Sequence, residues 1–97
     1  MSHYILLIKW TEQGISKIKD SPDRYNSFKA SVEKAGGKLV AGYYTFGKYD
    51  VVIIIEAPTD EIVMSLMLKV GSSGNVKSQT LKAFTAEEGI RIIKDLS

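Results

Sequence analysis

Side chains capable of chemistry are few in this sequence, and most of them fall in one short stretch. Tyr44, Phe46, Tyr49 and Asp50 surround the dipeptide Gly47-Lys48. A glycine in the first place of a two-residue loop suits a type II′ hairpin turn. Such a turn pairs Phe46 with Tyr49, Thr45 with Asp50, Tyr44 with Val51, and Gly42 with Ile53. Tyr44, Phe46 and Tyr49 then share one face of the hairpin, and Gly42 leaves a gap beside Ile53. Rings over such a gap can line a small apolar pocket, with Asp50 as a polar anchor at its mouth. The structural reading of the same residues has the rings packing in a core or interface. In that reading Asp50 accepts hydrogen bonds from the turn backbone or from Thr45. Tyr44, Phe46, Tyr49 and Asp50 are thus the candidate ligand-binding residues, and no catalytic residue is assigned.

The rest of the chain narrows the chemistry further. His3 is the one histidine and there is no cysteine, so neither a His cluster for zinc nor a thiol nucleophile is available. No metal and no cofactor are expected. Asp50 and Glu56 lie on the same side of a strand, but six residues at ~3.3 Å each separate them by about 20 Å. That is too far for a carboxylate pair acting on one bond. The Gly71-Ser72-Ser73-Gly74-Asn75 stretch matches neither a phosphate loop nor a dinucleotide fingerprint, and reads as a flexible connector. Tyr4 and Trp10 share a parity on the first strand and carry the same two readings as the hairpin rings. Met64 and Met67 read as core filler.

Composition sets the outer bounds. A 97-residue chain with 44% hydrophobic and 25% charged residues reads as one globular domain over 1–97. A chain of this size buries only about 60–68% of its unfolded surface. No apolar run approaches ~18 residues, so no membrane span is expected. The net charge of +2 is mild, and its lysines form no tract, which argues against a nucleic-acid footprint. The chain enters a strand directly after Met1-Ser2, without a signal-peptide layout. With zero cysteines, that leads to the expectation of a cytoplasmic protein.

The elements that must position the hairpin follow in order. Residues 3–10 form a first strand with Ile5 and Leu7 on one side and Leu6 and Ile8 on the other. Thr11 caps a short helical piece, and Ser21-Pro22 starts the first long helix with Ser21 as N-cap. Tyr25, Phe28, Val32 and Ala35 give that helix its apolar face, and Gly36-Gly37 ends it. Residues 38–46 form the second strand, and the β-branched run Val51 to Ile55 is the third. Thr59 caps a second helix, which its apolar side chains nearly encircle, so that it is expected to be covered on more than one side. Val76 to Phe84 is a more polar fourth strand. The box Thr85–Glu88 opens a last helix with Ile90, Ile93 and Leu96 expected to point inward.

This order is βαββαβ plus a C-terminal helix, an α+β pattern of the ferredoxin-like type. In it the first and third strands are central and both helices cover one face. Both central strands, however, are apolar on both faces. Leaving about half a dozen large side chains on the bare face in water would forgo on the order of 10 kcal/mol, comparable to a small domain's whole stability. The C-terminal helix can cover part of that face. A second sheet from another copy covers it more fully, so a homodimer packed sheet to sheet is expected, with a higher oligomer possible.

At Gly47-Lys48-Tyr49-Asp50 the chain resembles the GYD family. Further matching stretches are Tyr4-Ile5-Leu6-Leu7 with Trp10-Thr11-Glu12-Gln13-Gly14, Lys19-Asp20-Ser21-Pro22, and Glu56-Ala57-Pro58. Gly74-Asn75-Val76 and Thr80-Leu81-Lys82-Ala83-Phe84 also match. The resemblance spans nearly the whole chain and implies a dimeric α+β-barrel without an assigned activity. A looser similarity runs to the effector domains of leucine-responsive-type regulators, which share a Gly-x-Tyr-Asp-like turn. No helix-turn-helix segment precedes Met1, so a regulator role would require a partner. The resulting expectation is a small homo-oligomeric module that binds a small molecule or acts as a scaffold without chemistry. The alternative is a cofactor-independent enzyme of the isomerase or oxygenase kind with its site in the barrel, for which Asp50, Tyr44 and Tyr49 are the available set.

Overall fold

The computed structural model describes residues 1–96, Met1 to Leu96. Apolar alternation and β-branching place four strands: β1 (Ser2–Trp10), β2 (Lys38–Tyr44), β3 (Val51–Ala57) and β4 (Val76–Ala83). They form one antiparallel sheet in the order β2-β3-β1-β4, the order of the split β-α-β pattern, with β1 and β3 central. The helices are α1 (Glu12–Ser16), α2 (Ser21–Lys34), α3 (Asp60–Ser72) and α4 (Ala86–Lys94), with a 3₁₀ turn over Ile18–Asp20.

The core lies between the sheet and α2 with α3. Tyr4, Leu6 and Ile8 of β1 and Val51, Ile53 and Ile55 of β3 point into it, joined by Val32 of α2 and Val63 of α3. The opposite parity, Ile5, Leu7, Val52 and Ile54, lies on the helix-free face and is only half-buried. The two-sided apolar pattern is therefore real, and within one chain only one side of it is covered. α3 is likewise covered on one side, because Met64 and Leu68 are largely exposed.

Four local expectations change. Ser21 is not an N-cap; α2 follows directly on the 3₁₀ turn, its N-cap is Asp20, and the Ser21 hydroxyl is buried instead. The hairpin register is as expected from Gly42↔Ile53 to Tyr44↔Val51, but the ladder stops there, so residues 45–50 form a wider loop than a two-residue turn. Gly47 still takes a positive φ of +124°, which few other residues adopt. In the third change, α4 does not point inward: Ile90, Ile92, Ile93 and Leu96 are each more than half exposed. The helix extends a body measuring 52 × 31 × 18 Å and leaves the bare sheet face bare.

The fourth change concerns residues 71–75, which are pinned rather than a loose connector. α3 runs on through Ser72, and the turn after it is held by the segment that follows β1. The Thr11 amide donates to the Asn75 carbonyl at 3.0 Å and the Thr11 hydroxyl donates to the Gly74 carbonyl at 2.6 Å. Gln13 Nε2 donates to both the Ser73 carbonyl and Asn75 Oδ1 at 2.9 Å. Gly14 is buried against the Asn75 backbone so closely that a Cβ would overlap it. Replacing Gly14 with Ala is expected to push the two segments apart and destabilise the fold by about 1–3 kcal/mol, measured as a lowered urea midpoint with unchanged slope.

Candidate functional site

α2 and α3 leave a cavity of about 450 Å³ against the helix-covered face of the sheet, near the end of β1. Ile8, Val51 and Ile53 supply its floor, with Phe28 of α2 and Leu66 of α3 at its flanks. Trp10, Tyr25 and Tyr44 gather at one end, with ring centroids 6.3 Å apart for Trp10 and Tyr44 and 6.5 Å for Tyr25 and Tyr44. The expected gap at Gly42 is filled: a Cβ at Gly42 would run into the Tyr25 ring, which α2 lays across it. Gly42 thus admits an aromatic wall for the cavity rather than leaving an opening of its own.

Polar groups on this cavity are sparse. Ser21, 7% exposed, lies with its Oγ 3.0 Å from the Tyr44 hydroxyl. Arg24 also lines the cavity. Its Nη1 donates to the Lys17 carbonyl at 3.1 Å, while Nη2 is buried without a partner among the described residues. Asp20 and Asp23 stand exposed at the edge. An apolar body with one short polar end is the shape of molecule such a lining accommodates.

The hairpin residues do not meet at one point. Tyr44 lines the cavity from β2. Phe46 is wholly exposed on the loop. Tyr49 donates through its hydroxyl to Gln79 Oε1 at 3.0 Å. Gln79 pairs with Leu7, so the Tyr49 ring reaches across the helix-free face, away from Tyr44. The physical reason is the early end of the ladder: beyond Tyr44–Val51 the strict alternation that placed the three rings together no longer holds. Thr45 does face Asp50, its amide donating to the Asp50 carbonyl at 2.8 Å, but the Asp50 carboxylate accepts neither from Thr45 nor from the turn. Its Oδ2 accepts from the Trp10 amide at 2.9 Å, and its own amide donates to the Ile8 carbonyl at 2.8 Å. The Thr45 hydroxyl instead donates to the Tyr49 carbonyl at 2.6 Å. Asp50 therefore joins β3 to the end of β1, and through Trp10 it steadies one wall of the cavity.

A second polar cluster sits at the start of α3. The Tyr4 hydroxyl donates to Asp60 Oδ1, and Lys82 Nζ lies 3.0 Å from the same oxygen. The hydrogen bond to Asp60, with burial, raises the Tyr4 pKa above its ordinary value of 10.0. The Tyr4 and Lys82 hydrogen bonds hold the Asp60 carboxyl below its ordinary range, and Asp60 in turn raises Lys82. At neutral pH the phenol stays protonated and the carboxylate stays charged, so the cluster clamps α3 to β1 and β4 rather than exchanging protons. The sequence marks Asp60 only as a helix-dipole partner; the Tyr4↔Lys82 register that completes the cluster needs the β1–β4 pairing. His3 Nε2 lies 3.1 Å from Glu56 Oε1 on the neighbouring strand. Among the described residues no three His, Asp or Glu side chains converge as a metal site would require.

Two outcomes follow from these contacts. Asp50→Asn keeps the shape and lowers stability by roughly 1 kcal/mol, because a charge-assisted acceptor of the Trp10 amide becomes a neutral one; chemical denaturation reads this directly. For Tyr4 the folded pKa is raised, so its contribution is complete below about pH 10 and fades as pH rises through the folded value. Tyr4→Phe should therefore flatten the alkaline fall of the melting temperature. Asp60 has a lowered pKa, so its contribution is present above the ordinary carboxylate range and fades as pH falls through it.

Comparison with known proteins identifies the scaffold. The chain is 32% identical over 95 residues to a Thermus thermophilus protein named glutamine synthetase and cystathionine beta-lyase binding protein, covering 97% of this chain and 100% of that one. The crystal structure of TTHA0845 from Thermus thermophilus superposes with a TM-score of 0.56 at 19% identity, covering 89% of this chain and 96% of that chain, a likeness of fold. The GYD domain model matches residues 4–93. The chain belongs to the GYD domain family.

Proposed function

We propose that this chain is a homodimeric binding module without chemistry of its own, in which the cavity between α2, α3 and the sheet takes a small, mostly apolar molecule. The observation that carries this reading is the cavity itself. Its volume of about 450 Å³ lies within the span of small-molecule sites. Its aromatic end and sparse polar groups suit an aromatic or aliphatic body with one acceptor end. A carboxylate or carbonyl there would supply the partner that Arg24 Nη2 lacks and would sit beside the Ser21–Tyr44 hydroxyl pair. Tyr44 is the hairpin residue retained as a ligand contact; Phe46, Tyr49 and Asp50 serve the loop, the bare face and the strand junction. The enzyme alternative would need an acid–base pair facing the cavity, whereas Asp50 is engaged by backbone. One domain, working in the cytoplasm and closed by a second copy across the helix-free face, completes the reading.

A second reading, binding of a protein, draws on the relative named for its binding to glutamine synthetase and cystathionine beta-lyase. Phe46, wholly exposed on the hairpin loop, is a side chain suited to anchor such a contact. Retention of those two enzymes on the immobilised chain, lost with Phe46→Ser, is its expected sign.

The single tryptophan makes the cavity testable. Trp10 lines it, so its fluorescence reports occupancy directly. Titration with aryl carboxylates is expected to change Trp10 emission saturably, and native mass spectrometry should show one molecule per chain. Val70→Phe, which fills the cavity from α3, should abolish the change while leaving the melting curve cooperative. No saturable response from any such compound, or a response indifferent to Val70→Phe, would remove the cavity as the site.

A further inference from the structure

α4 is a helix that its own chain does not support. The capping box is complete: the Glu88 amide donates to Thr85 Oγ1 at 3.1 Å, and the Thr85 amide donates to Glu88 Oε1 at 2.8 Å. Yet the helix has nine residues, and isolated helices below ~12–15 residues are marginal in water. Its apolar stripe of Ile90, Ile92, Ile93 and Leu96 is 51%, 52%, 65% and 74% exposed, so nothing in the chain repays its formation. The same chain also leaves the sheet face carrying Ile5, Leu7, Val52 and Ile54 without cover.

The chain enters α4 from the edge of the helix-free face. β4 ends with Ala83 beside His3, and His3 pairs with Glu56 on the helix-free face. α4 therefore follows two residues after the edge strand at the rim of the bare face. Area points the same way. Four strands spaced by ~4.8 Å, with about seven paired rows at ~3.3 Å, present roughly 300–400 Å². A stable interface buries about 800 Å² of accessible surface per partner, a measure larger than a flat footprint because side chains stand out of it, and cover beyond the sheet helps to reach it. The four aliphatic side chains of α4 add on the order of 200–300 Å² from each copy.

We infer that α4 is an exchanged arm, which packs its Ile90, Ile92, Ile93 and Leu96 stripe on the second copy of this chain at the rim of the stacked sheets. The inference rests on the homodimer proposed above and adds the element that locks it. A second copy satisfies both surfaces at once and reciprocally, as a two-fold interface must.

Hydrogen exchange of the full chain, measured above and below its dissociation concentration, tests the arm. Amides of residues 88–94 should be protected in the concentrated sample and exchange freely on dilution, while the β1 and β3 amides stay protected in both. The variant Ile92→Glu with Ile93→Glu, both exposed within one chain, should keep the melting curve of the sheet and weaken self-association at least about 100-fold. A wild-type monomer at all concentrations would overturn the homodimer and the arm together. A wild-type dimer whose α4 exchange ignores concentration, or whose association survives the double substitution, would overturn the arm alone. Protection of α4 at every dilution would show it folding back on its own sheet, and lack of protection at any concentration would assign it to another partner; both outcomes contradict the inference.

Discussion

Two strands that are apolar on both faces stand at the centre of a sheet that carries helices on only one. β1 and β3 bury Leu6, Ile8, Ile53 and Ile55 beneath α2 and α3, and these side chains form the core within one chain. Alternation then places Ile5, Leu7, Val52 and Ile54 on the other side, and no slip of register can hide both sets. A surface side chain of this kind is ordinary alone; four in adjacent rows form a patch of the kind that partners cover. The outward Met64 and Leu68 of α3 and the stripe of α4 extend the same imbalance to the helices. The chain thus has one apolar sheet face covered and one uncovered.

On the covered side, the same sheet positions the candidate site. Trp10 stands at the end of β1 because the next residue, Thr11, leaves the ladder to hold Gly74 and Asn75. Asp50 fixes the Trp10 backbone from the start of β3, and Gly42 admits Tyr25 from α2. These contacts explain why family-resembling stretches far apart in the chain, around Trp10–Gly14, Tyr49-Asp50 and Gly74–Val76, come together at one end of the sheet. They are the joints of the scaffold beside the cavity, and the scaffold rather than a reactive group is what they specify.

Much of this was legible from residue order alone. The β-branched run at Val51–Ile55, the cap at Thr59, the box at Thr85–Glu88 and the glycine stop at Gly36 placed the elements. The register of β2 on β3 followed from the loop length up to Tyr44. The site was harder to read, because each miss depended on a long-range contact. Strand parity put Tyr44, Phe46 and Tyr49 together only as long as the ladder continued, and it stops at Tyr44–Val51. The Asp50 carboxylate found its partner on β1 rather than in its own turn, where only the Asp50 carbonyl is engaged. Ser21, a plausible cap by type, was drawn inward to Tyr44. Gly42 read as an opening because the ring that fills it, Tyr25, comes from a separate helix. The Tyr4–Asp60–Lys82 cluster joins three elements that no local pattern links.

Sedimentation equilibrium of the untagged chain at tens of micromolar tests the central claim, that two-sided central strands require a second copy. The account predicts a mass of at least twice 10.7 kDa with no folded monomer at that concentration. A cooperatively folded species of 10.7 kDa that stays monomeric would contradict it.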